Sequence, residues 1–182
     1  MTDFLSTYAA FAAAPTDPTT GAAIISLLEE QESSLVFSSM DSAAAQSLGQ
    51  TILSVSPQSL NPDSPTAKPI VVAVYIGTNL LYYSAQDGTA TDNFEWIQRK
   101  ALTVLRFGHS SLLMGIKAES AGVTFNQRFA IPITEAVGAG GGFPLFVKGV
   151  KYPVGMIGVS GLPHMEDHDV LVRGISKYLS EL

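Results

Sequence analysis

The alternation of apolar and polar positions is clearest in residues 70–85. Two runs rich in β-branched and aromatic residues flank the tripeptide Gly77-Thr78-Asn79 there, which predicts two strands joined as a hairpin. Similar but shorter apolar runs predict one strand within residues 33–40 and two further strands within residues 143–149 and 154–161. The last two lie close enough in sequence to form a second hairpin.

Apolar residues at helical spacing predict helices over residues 2–13, 22–32, 42–55, 94–108 and 162–182, with another helical turn beginning after His109. Asp41 is the expected N-cap of the third helix, and Gly108 suits the C-terminus of the fourth. Four prolines in residues 56–69 predict a loop without helix or strand. This order of hairpins and helices indicates an α+β fold with an antiparallel sheet.

The predicted first helix has an apolar stripe made of Phe4, Leu5, Tyr8 and Phe11. Such a stripe must be buried, either on the body of the protein or on a neighbouring molecule. We therefore expect residues 1–30 to form a helical N-terminal arm and residues 31–182 to form the main α+β domain.

Composition and charge restrict the function. Apolar residues make up 46% of the chain and charged residues 14%, below the usual share of about 25% charged residues, which hints at surface buried between subunits. Residues 1–67 contain seven acidic residues and no Lys or Arg, and the net charge is -6. This distribution supplies no basic face for nucleic acid or acidic membranes. The absence of cysteine excludes disulfides, thiol catalysis and iron–sulfur clusters.

The Ala-rich start of the chain does not read as a signal peptide. Asp3 occupies the place of a basic region, and polar residues interrupt the apolar run. No stretch approaches the roughly 20 apolar residues that cross a bilayer. We therefore expect a cytoplasmic protein that is not associated with membranes.

Residues 138–142 form the glycine-rich run Gly-Ala-Gly-Gly-Gly. A Walker loop would continue with Lys and Ser or Thr at the start of a helix, whereas Phe143, Pro144 and a predicted strand follow here. We interpret the run as backbone that approaches another group closely or takes positive φ.

Two of the three histidines, His164 and His168, are four residues apart among Glu166, Asp167 and Asp169. On a helix both imidazoles would share a face, and two histidines with one carboxylate are a common metal ligand set. The alternative is a helix start in which Pro163 occupies the first turn and the carboxylates favour the positive end of the dipole.

Arg99, Lys100 and Arg106 lie on one predicted helix, ahead of His109, Ser110 and Ser111. These residues would bind a carboxylate or phosphate group. The alternative is a solvated face, or pairing with the acidic N-terminal third of another subunit. Nucleophilic catalysis has little support, because the chain contains no Gly-x-Ser-x-Gly elbow.

Several of these segments together resemble one known family. The motifs are Trp96-x-x-Arg99-Lys100, Arg106-Phe107-Gly108, Ser110-Ser111, the glycine run, Ser160-Gly161 and Glu166-Asp167-His168. As a set they resemble the HbpS/GlcG-like proteins, often called the haem-degrading domain, and within them a small fungal and bacterial branch. The resemblance extends from about residue 35 to the C-terminus.

The resemblance implies a profilin- or PAS-like fold, an antiparallel sheet of about five strands with helices packed over it. It also implies homo-oligomers, in which dimers assemble into a larger ring. Some members bind haem or are associated with its degradation, and others bind small acidic ligands. Haem needs an axial ligand, for which the chain offers His109, His164 and His168, and basic groups for its propionates.

Three functions follow as hypotheses. The first is an oligomeric binding protein with little or no catalysis, which holds a small anionic ligand. The second is a haem-binding and haem-degrading enzyme, and the third is a scaffold that presents a surface to a protein partner. The expected ligand-binding residues are Arg99, Lys100, Arg106, His109, Ser110, Ser111, Gly140, Gly141, Gly142, Ser160, His164 and Asp167, with His164 and His168 as the candidate metal ligands.

Overall fold

The predicted hairpin forms one side of a five-stranded sheet in the computed structural model, which describes residues 3–182. Strands β2 (Val71–Ile76) and β3 (Asn79–Ala85) pair antiparallel around a two-residue turn. Gly77 in this turn has φ +56°, a value that glycine adopts at little cost. The hairpin prediction is therefore confirmed.

The second predicted hairpin is also present and completes the centre of the sheet. It consists of β4 (Gly142–Val147) and β5 (Gly155–Ser160), and β5 pairs antiparallel with both β4 and β2. The short strand β1 (Val36–Phe37) pairs with the outer edge of β4 in parallel, and the order across the sheet is β1-β4-β5-β2-β3. The expected antiparallel sheet thus contains one parallel pair, because more than a hundred residues separate β1 from β4 and allow the long crossover that such a pair needs.

Eight helices surround this sheet within residues 3–182. Their bounds are α1 Phe4–Ala13, α2 Pro18–Ser34, α3 Ser42–Ser54, α4 Pro57–Leu60, α5 Thr91–Phe107, α6 Ser111–Glu119, α7 Phe125–Phe129 and α8 His164–Ser180. Helices α3 and α8 pack on one face of the sheet, and α5 packs on the other. The central strand β2 is therefore buried on both faces and is apolar at every position instead of alternating.

The N-terminal helices pack against the rest of the chain. Phe4 and Phe11 of α1 are buried with residues of α2 and α6, and α1 also contacts α8. Leu5, expected in the same stripe, is instead 40% exposed. The side chains of Asp3 and Asp17 cap the first two helices, as Asp41 caps α3 in agreement with the prediction. The division of the chain at residue 30 stays a prediction, and α2 continues past it to Ser34.

Two short helices were not predicted. Helix α4 lies inside the proline-rich segment that was expected to be a loop, because Ser56 caps it and Pro57 occupies its first position, where the missing N–H costs nothing. Helix α7 begins with a capping box made by Thr124 and Gln127. None of the helices within residues 3–182 has the length and apolar character that crossing a membrane requires.

The contact between α3 and α8 supplies a test of the packing. A Cβ atom added at Gly174 would lie 2.6 Å from Cγ1 of Ile52 and 2.8 Å from its Cα. We expect Gly174→Ala to lower the free energy of unfolding by about 1–3 kcal/mol through overpacking, despite the roughly 1 kcal/mol by which alanine favours a helix. Gly21→Ala is the control, since only the side chain of Ser120 faces that position. Urea unfolding of both variants measures the difference, and equal stability of the two would contradict the packing.

Candidate functional site

The structure brings several of the predicted site residues together in one buried cluster. Lys100 of α5 donates from Nζ to Oδ2 of Asp167 at 2.9 Å and to the carbonyl oxygen of Val159 at 2.8 Å. Asp167 also accepts a hydrogen bond from the backbone N–H of Leu162 at 2.9 Å. The side chains of Lys100 and Asp167 each keep only 2% of their surface exposed. They form an ion pair that links α5, β5 and α8.

The glycine run allows this cluster to close. Added Cβ atoms would meet the backbone of His164 at Gly140, and at Gly141 they would meet Lys100 and Asp167. Gly141 has φ +99°, and the N–H of Gly142 donates to Oγ of Ser111 at 3.0 Å. The predicted close approach to the glycine backbone and the predicted positive φ are both confirmed. The groups that approach the glycines are the backbone of His164 and the side chains of Lys100 and Asp167.

Burial perturbs the charged groups of the cluster in opposite directions. It raises the pKa of Asp167 to about 6 and lowers the pKa of Lys100, while their mutual attraction opposes both effects. His164 has its pKa lowered, mainly by burial and also by the charge of Lys100. Its Nδ1 accepts a hydrogen bond from the N–H of Gly140 at 3.3 Å, so Nε2, 3.2 Å from the hydroxyl of Tyr8, carries the proton.

The three basic residues of α5 do not all point in the same direction. Lys100 points into the interior, whereas the guanidinium of Arg99 lies over the ring of Trp96 at 4.5 Å and that of Arg106 lies over Phe107 at 5.5 Å. Lys100 diverges from Arg99 because consecutive positions on a helix point about 100° apart, whereas Arg99 and Arg106 are seven residues apart and share a face. Ser160 is buried as well. Ligand binding by Gly140–Gly142, Ser160, His164 and Asp167 stays a prediction, and Lys100 has its donors directed at protein atoms.

The two histidines of α8 have protein partners. His168 is fully buried, with Nε2 3.0 Å from Oε1 of Gln31, and burial lowers its pKa to about 3. Across residues 3–182 no group of three or more His, Cys, Asp or Glu side chains is arranged to hold a metal ion. The alternative of a charged helix start is also incomplete, because Pro163 is the N-cap and Asp167 is engaged with Lys100.

His109 lies elsewhere, in a groove of about 380 Å³ between α2 and the turn that joins β4 to β5. Among the residues that line the groove are Glu32, Ser33, Val36, His109, Phe146, Val147, Lys148 and Val150. The groove therefore combines apolar side chains with one histidine, one lysine and the two carboxylates of Glu29 and Glu32. Apolar walls with a few polar groups are typical of sites for small molecules.

A buried carboxylate holds His109 at the edge of this groove. Glu32 is only 5% exposed, and its Oε2 lies 2.7 Å from Nδ1 of His109. Its other oxygen, Oε1, accepts the backbone N–H of Ser110 at 2.6 Å. Gly108 ends α5 in the left-handed conformation and Ser110 caps α6, so the short connection between the two helices presents both donors to Glu32.

The side chain of His109 is partly exposed at the groove. The hydrogen bond to Glu32 is the main cause that raises the pKa of His109 above its usual value, and burial opposes it. The side chain is 43% exposed. Within residues 3–182 its second ring nitrogen, Nε2, has no hydrogen-bond partner. His109 and Ser110 were predicted as site residues, whereas Glu32 was missed.

One signal in the sequence does point to Glu32. Ile24, Leu28 and Glu32 recur at every fourth position, and all three are buried on the same stripe of α2. A charged residue on an apolar stripe needs a partner, because an unpaired buried charge is costly. The partner is 77 residues away, and the helical pattern does not identify it.

Comparison with known proteins places the chain in one family. The sequence model of the family described as "Haem degrading protein HbpS-like" matches residues 40–176. The UPF0303 protein SCO2848 of Streptomyces coelicolor is 33% identical over 92% of this chain and 98% of its own length. The UPF0303 protein P4H10.12 of Schizosaccharomyces pombe is 32% identical over 85% of this chain and 83% of its own length. Bacterial and fungal relatives are thus both present.

Solved structures agree with the fold. The crystal structure of the Ybr137w protein superposes with a TM-score of 0.75 at 30% identity, covering 86% of this chain and 88% of that one. The crystal structure of a PduOC:heme complex superposes with a TM-score of 0.59 at 17% identity, covering 76% and 94%. At that identity the second likeness concerns the fold alone.

The buried ion pair predicts strong coupling between its two residues. Lys100→Met leaves Asp167 without its counter-charge, and we expect a loss of about 3–5 kcal/mol in the free energy of unfolding. The double variant Lys100→Met/Asp167→Leu removes both charges, so its loss is well below the sum of the two single losses. Denaturant unfolding of the four proteins measures the coupling, and additive losses would show that the pair does not act as a unit.

The bond between Glu32 and His109 predicts a pH-dependent contribution to stability. Because the pKa of folded His109 is raised, the contribution is fully present below the unfolded pKa of about 6.5 and is lost as the pH rises through the folded value. The stability difference between the wild type and His109→Asn should therefore shrink between neutral and alkaline pH. Chemical unfolding at a series of pH values tests this, and a difference that grows with pH would contradict the raised pKa.

Proposed function

The chain belongs to the HbpS-like family of haem degrading proteins, and from this membership we propose that it binds haem in the groove beside His109. The observation that carries the proposal is the geometry of His109, whose Nδ1 contacts the buried carboxylate of Glu32 while Nε2 is left free at the groove. A carboxylate–histidine pair of this kind is the usual support of a metal-bound imidazole.

The groove also offers contacts for the porphyrin ring and the propionates of haem. Haem is a flat apolar ring with two carboxylates, and the groove offers Val36, Phe146, Val147 and Val150 beside the exposed amine of Lys148. The apolar side chains would cover the ring, and Lys148 would pair with a propionate. This assignment keeps the anionic ligand expected from the sequence but moves it from the buried cluster to the groove.

The residues of the chain have separate roles in such a site. His109 would supply the iron ligand, Glu32 would orient the imidazole, and the apolar wall would exclude water from one face of the ring. When bound, haem supplies an iron centre that binds oxygen or transfers electrons. Glu29, which also lines the groove, is paired with Lys117. We propose binding as the primary function, in the cytoplasm, with haem degradation as the second candidate.

A haemin titration tests this function. We expect saturable binding with a shifted Soret band, and His109→Ala should weaken it by more than about tenfold, the loss that even an outer-shell change produces in a metal site. His164→Ala and His168→Ala are the controls and should bind as the wild type does. Unchanged haemin affinity in His109→Ala would contradict the proposal. Haemin binding by the wild type that is no stronger than binding by a control protein would also contradict it.

We also propose that the protein is a homo-oligomer in which dimers form through β3 and assemble into a larger ring. Within the described residues β3 pairs only with β2, and its sequence Asn79–Ala85 carries no charge or proline. Leu80 and Tyr83 on this strand are 39% and 47% exposed. An uncharged, exposed edge strand is a ready template for pairing with another chain.

Light scattering tests the assembly. We expect a mass above that of the monomer at micromolar concentration, and Tyr83→Lys should shift it toward the monomer because a charge would be buried in the contact. Ile133→Lys, an equally large change at an exposed apolar residue outside β3, should leave the mass unchanged. A monomeric wild type would contradict the assembly, and equal effects of the two variants would contradict the role of β3.

A further inference from the structure

The carboxylate of Glu32 lies between two hydrogen-bond donors. Oε1 accepts the backbone N–H of Ser110 at 2.6 Å, and Oε2 is 2.7 Å from Nδ1 of His109. A carboxylate only accepts hydrogen bonds, so Nδ1 of His109 must carry a proton. In the neutral ring the lone pair is then on Nε2, the nitrogen that is free at the groove.

We propose that Glu32 selects this tautomer of His109 and thereby makes the groove specific for ligands with an electron-accepting centre, above all a metal ion held in an organic ring. The opposite tautomer would present an N–H at the groove and would favour ligands that accept hydrogen bonds. Glu32 is thus a positioning residue, which acts through His109 and not by touching the ligand's metal. The metal preference rests on the proposed haem binding, whereas the tautomer does not.

The surroundings of Glu32 fix its orientation. The Ser110 N–H belongs to the backbone at the N-cap of α6, and Ser110 is fully buried. Glu32 extends the apolar stripe of α2 and is almost fully buried, so its carboxylate has little freedom to rotate. The donor at Ser110 therefore always faces Oε1, and the second oxygen always faces His109.

The inference also gives the N-terminal helices a role in the site. The family model begins at residue 40, and Glu32 lies before this point on α2, whereas His109 lies inside the matched region. Helix α2 packs against α6, which begins directly after the His109 segment. The segment that precedes the matched region thus completes the ligand environment of a histidine within it.

The substitution Glu32→Gln, which replaces one carboxylate oxygen by an NH2 group, should reverse the choice of tautomer at His109. In Glu32→Gln the amide oxygen must face the Ser110 N–H, because the amide NH2 would oppose another donor there. The NH2 group then faces Nδ1 of His109, which accepts its hydrogen bond as an unprotonated nitrogen. The proton of the neutral ring moves to Nε2, and the groove loses its lone pair with almost no change in side-chain volume.

Nitrogen NMR of the protein without haem tests the tautomer. Two-bond 1H–15N correlations of His109, recorded at a pH where the ring is neutral, distinguish the protonated from the unprotonated nitrogen. We expect Nδ1–H in the wild type, Nε2–H in Glu32→Gln, and Nδ1–H in the control Glu30→Gln, which makes the same change at an exposed position of α2. Nε2–H in the wild type would overturn the inference, and this result needs no variant to fold.

Haemin titration of the same proteins tests the consequence for the ligand. Glu32→Gln should lower ferric haem affinity by about tenfold or more, and Glu30→Gln should leave it unchanged. If His109→Ala weakens binding but Glu32→Gln does not, the inference fails while the proposed function stands. If His109→Ala has no effect and the wild type still shows Nδ1–H, the proposed function fails and the tautomer selection stands.

Discussion

The ion pair between Lys100 and Asp167 is the interaction on which the arrangement of the domain depends. It lies between α5 on one face of the sheet and α8 on the other, and it also reaches the backbone of β5. Two charges in an interior are costly unless each is paired and hydrogen-bonded. The carbonyl of Val159 and the N–H of Leu162 complete the pair, so α5, β5 and α8 are held in one relative position.

This ion pair explains the glycine run, and it lies apart from the groove beside His109. Side chains at Gly140 and Gly141 would occupy the space of His164, Lys100 and Asp167, so the run serves the packing of the ion pair. Lys100 and Asp167, which the sequence indicates as ligand-binding residues, are therefore engaged in contacts that hold the fold together. The free histidine nitrogen lies in a different place, where α5 ends at Gly108 and α6 begins, and there the N-terminal helix α2 contributes Glu32.

The sequence predicts what is local and misses what depends on distant contacts. Both hairpins, the cap at Asp41 and the left-handed end of α5 at Gly108 depend on neighbouring residues, and all were predicted. Lys100 lies on the buried stripe of α5, three residues after Ile97 and four before Val104. Its partner Asp167 is 67 residues away, and the helical pattern does not identify it. The sequence patterns favour a site between the basic helix, the glycine run and the start of α8, and they do not identify the partner of Glu32, which is 77 residues away.

The proposed haem site predicts that a porphyrin binds in the groove beside His109 and not at the glycine run. The most direct measurement is methyl NMR of the protein with gallium(III) protoporphyrin IX, a diamagnetic analogue that keeps the ring, the propionates and a metal centre. We expect shifts of the methyl groups of Val36, Val147 and Val150, which line the groove. Shifts confined to residues around Gly140 and His164, or no saturable shifts at all, would contradict it.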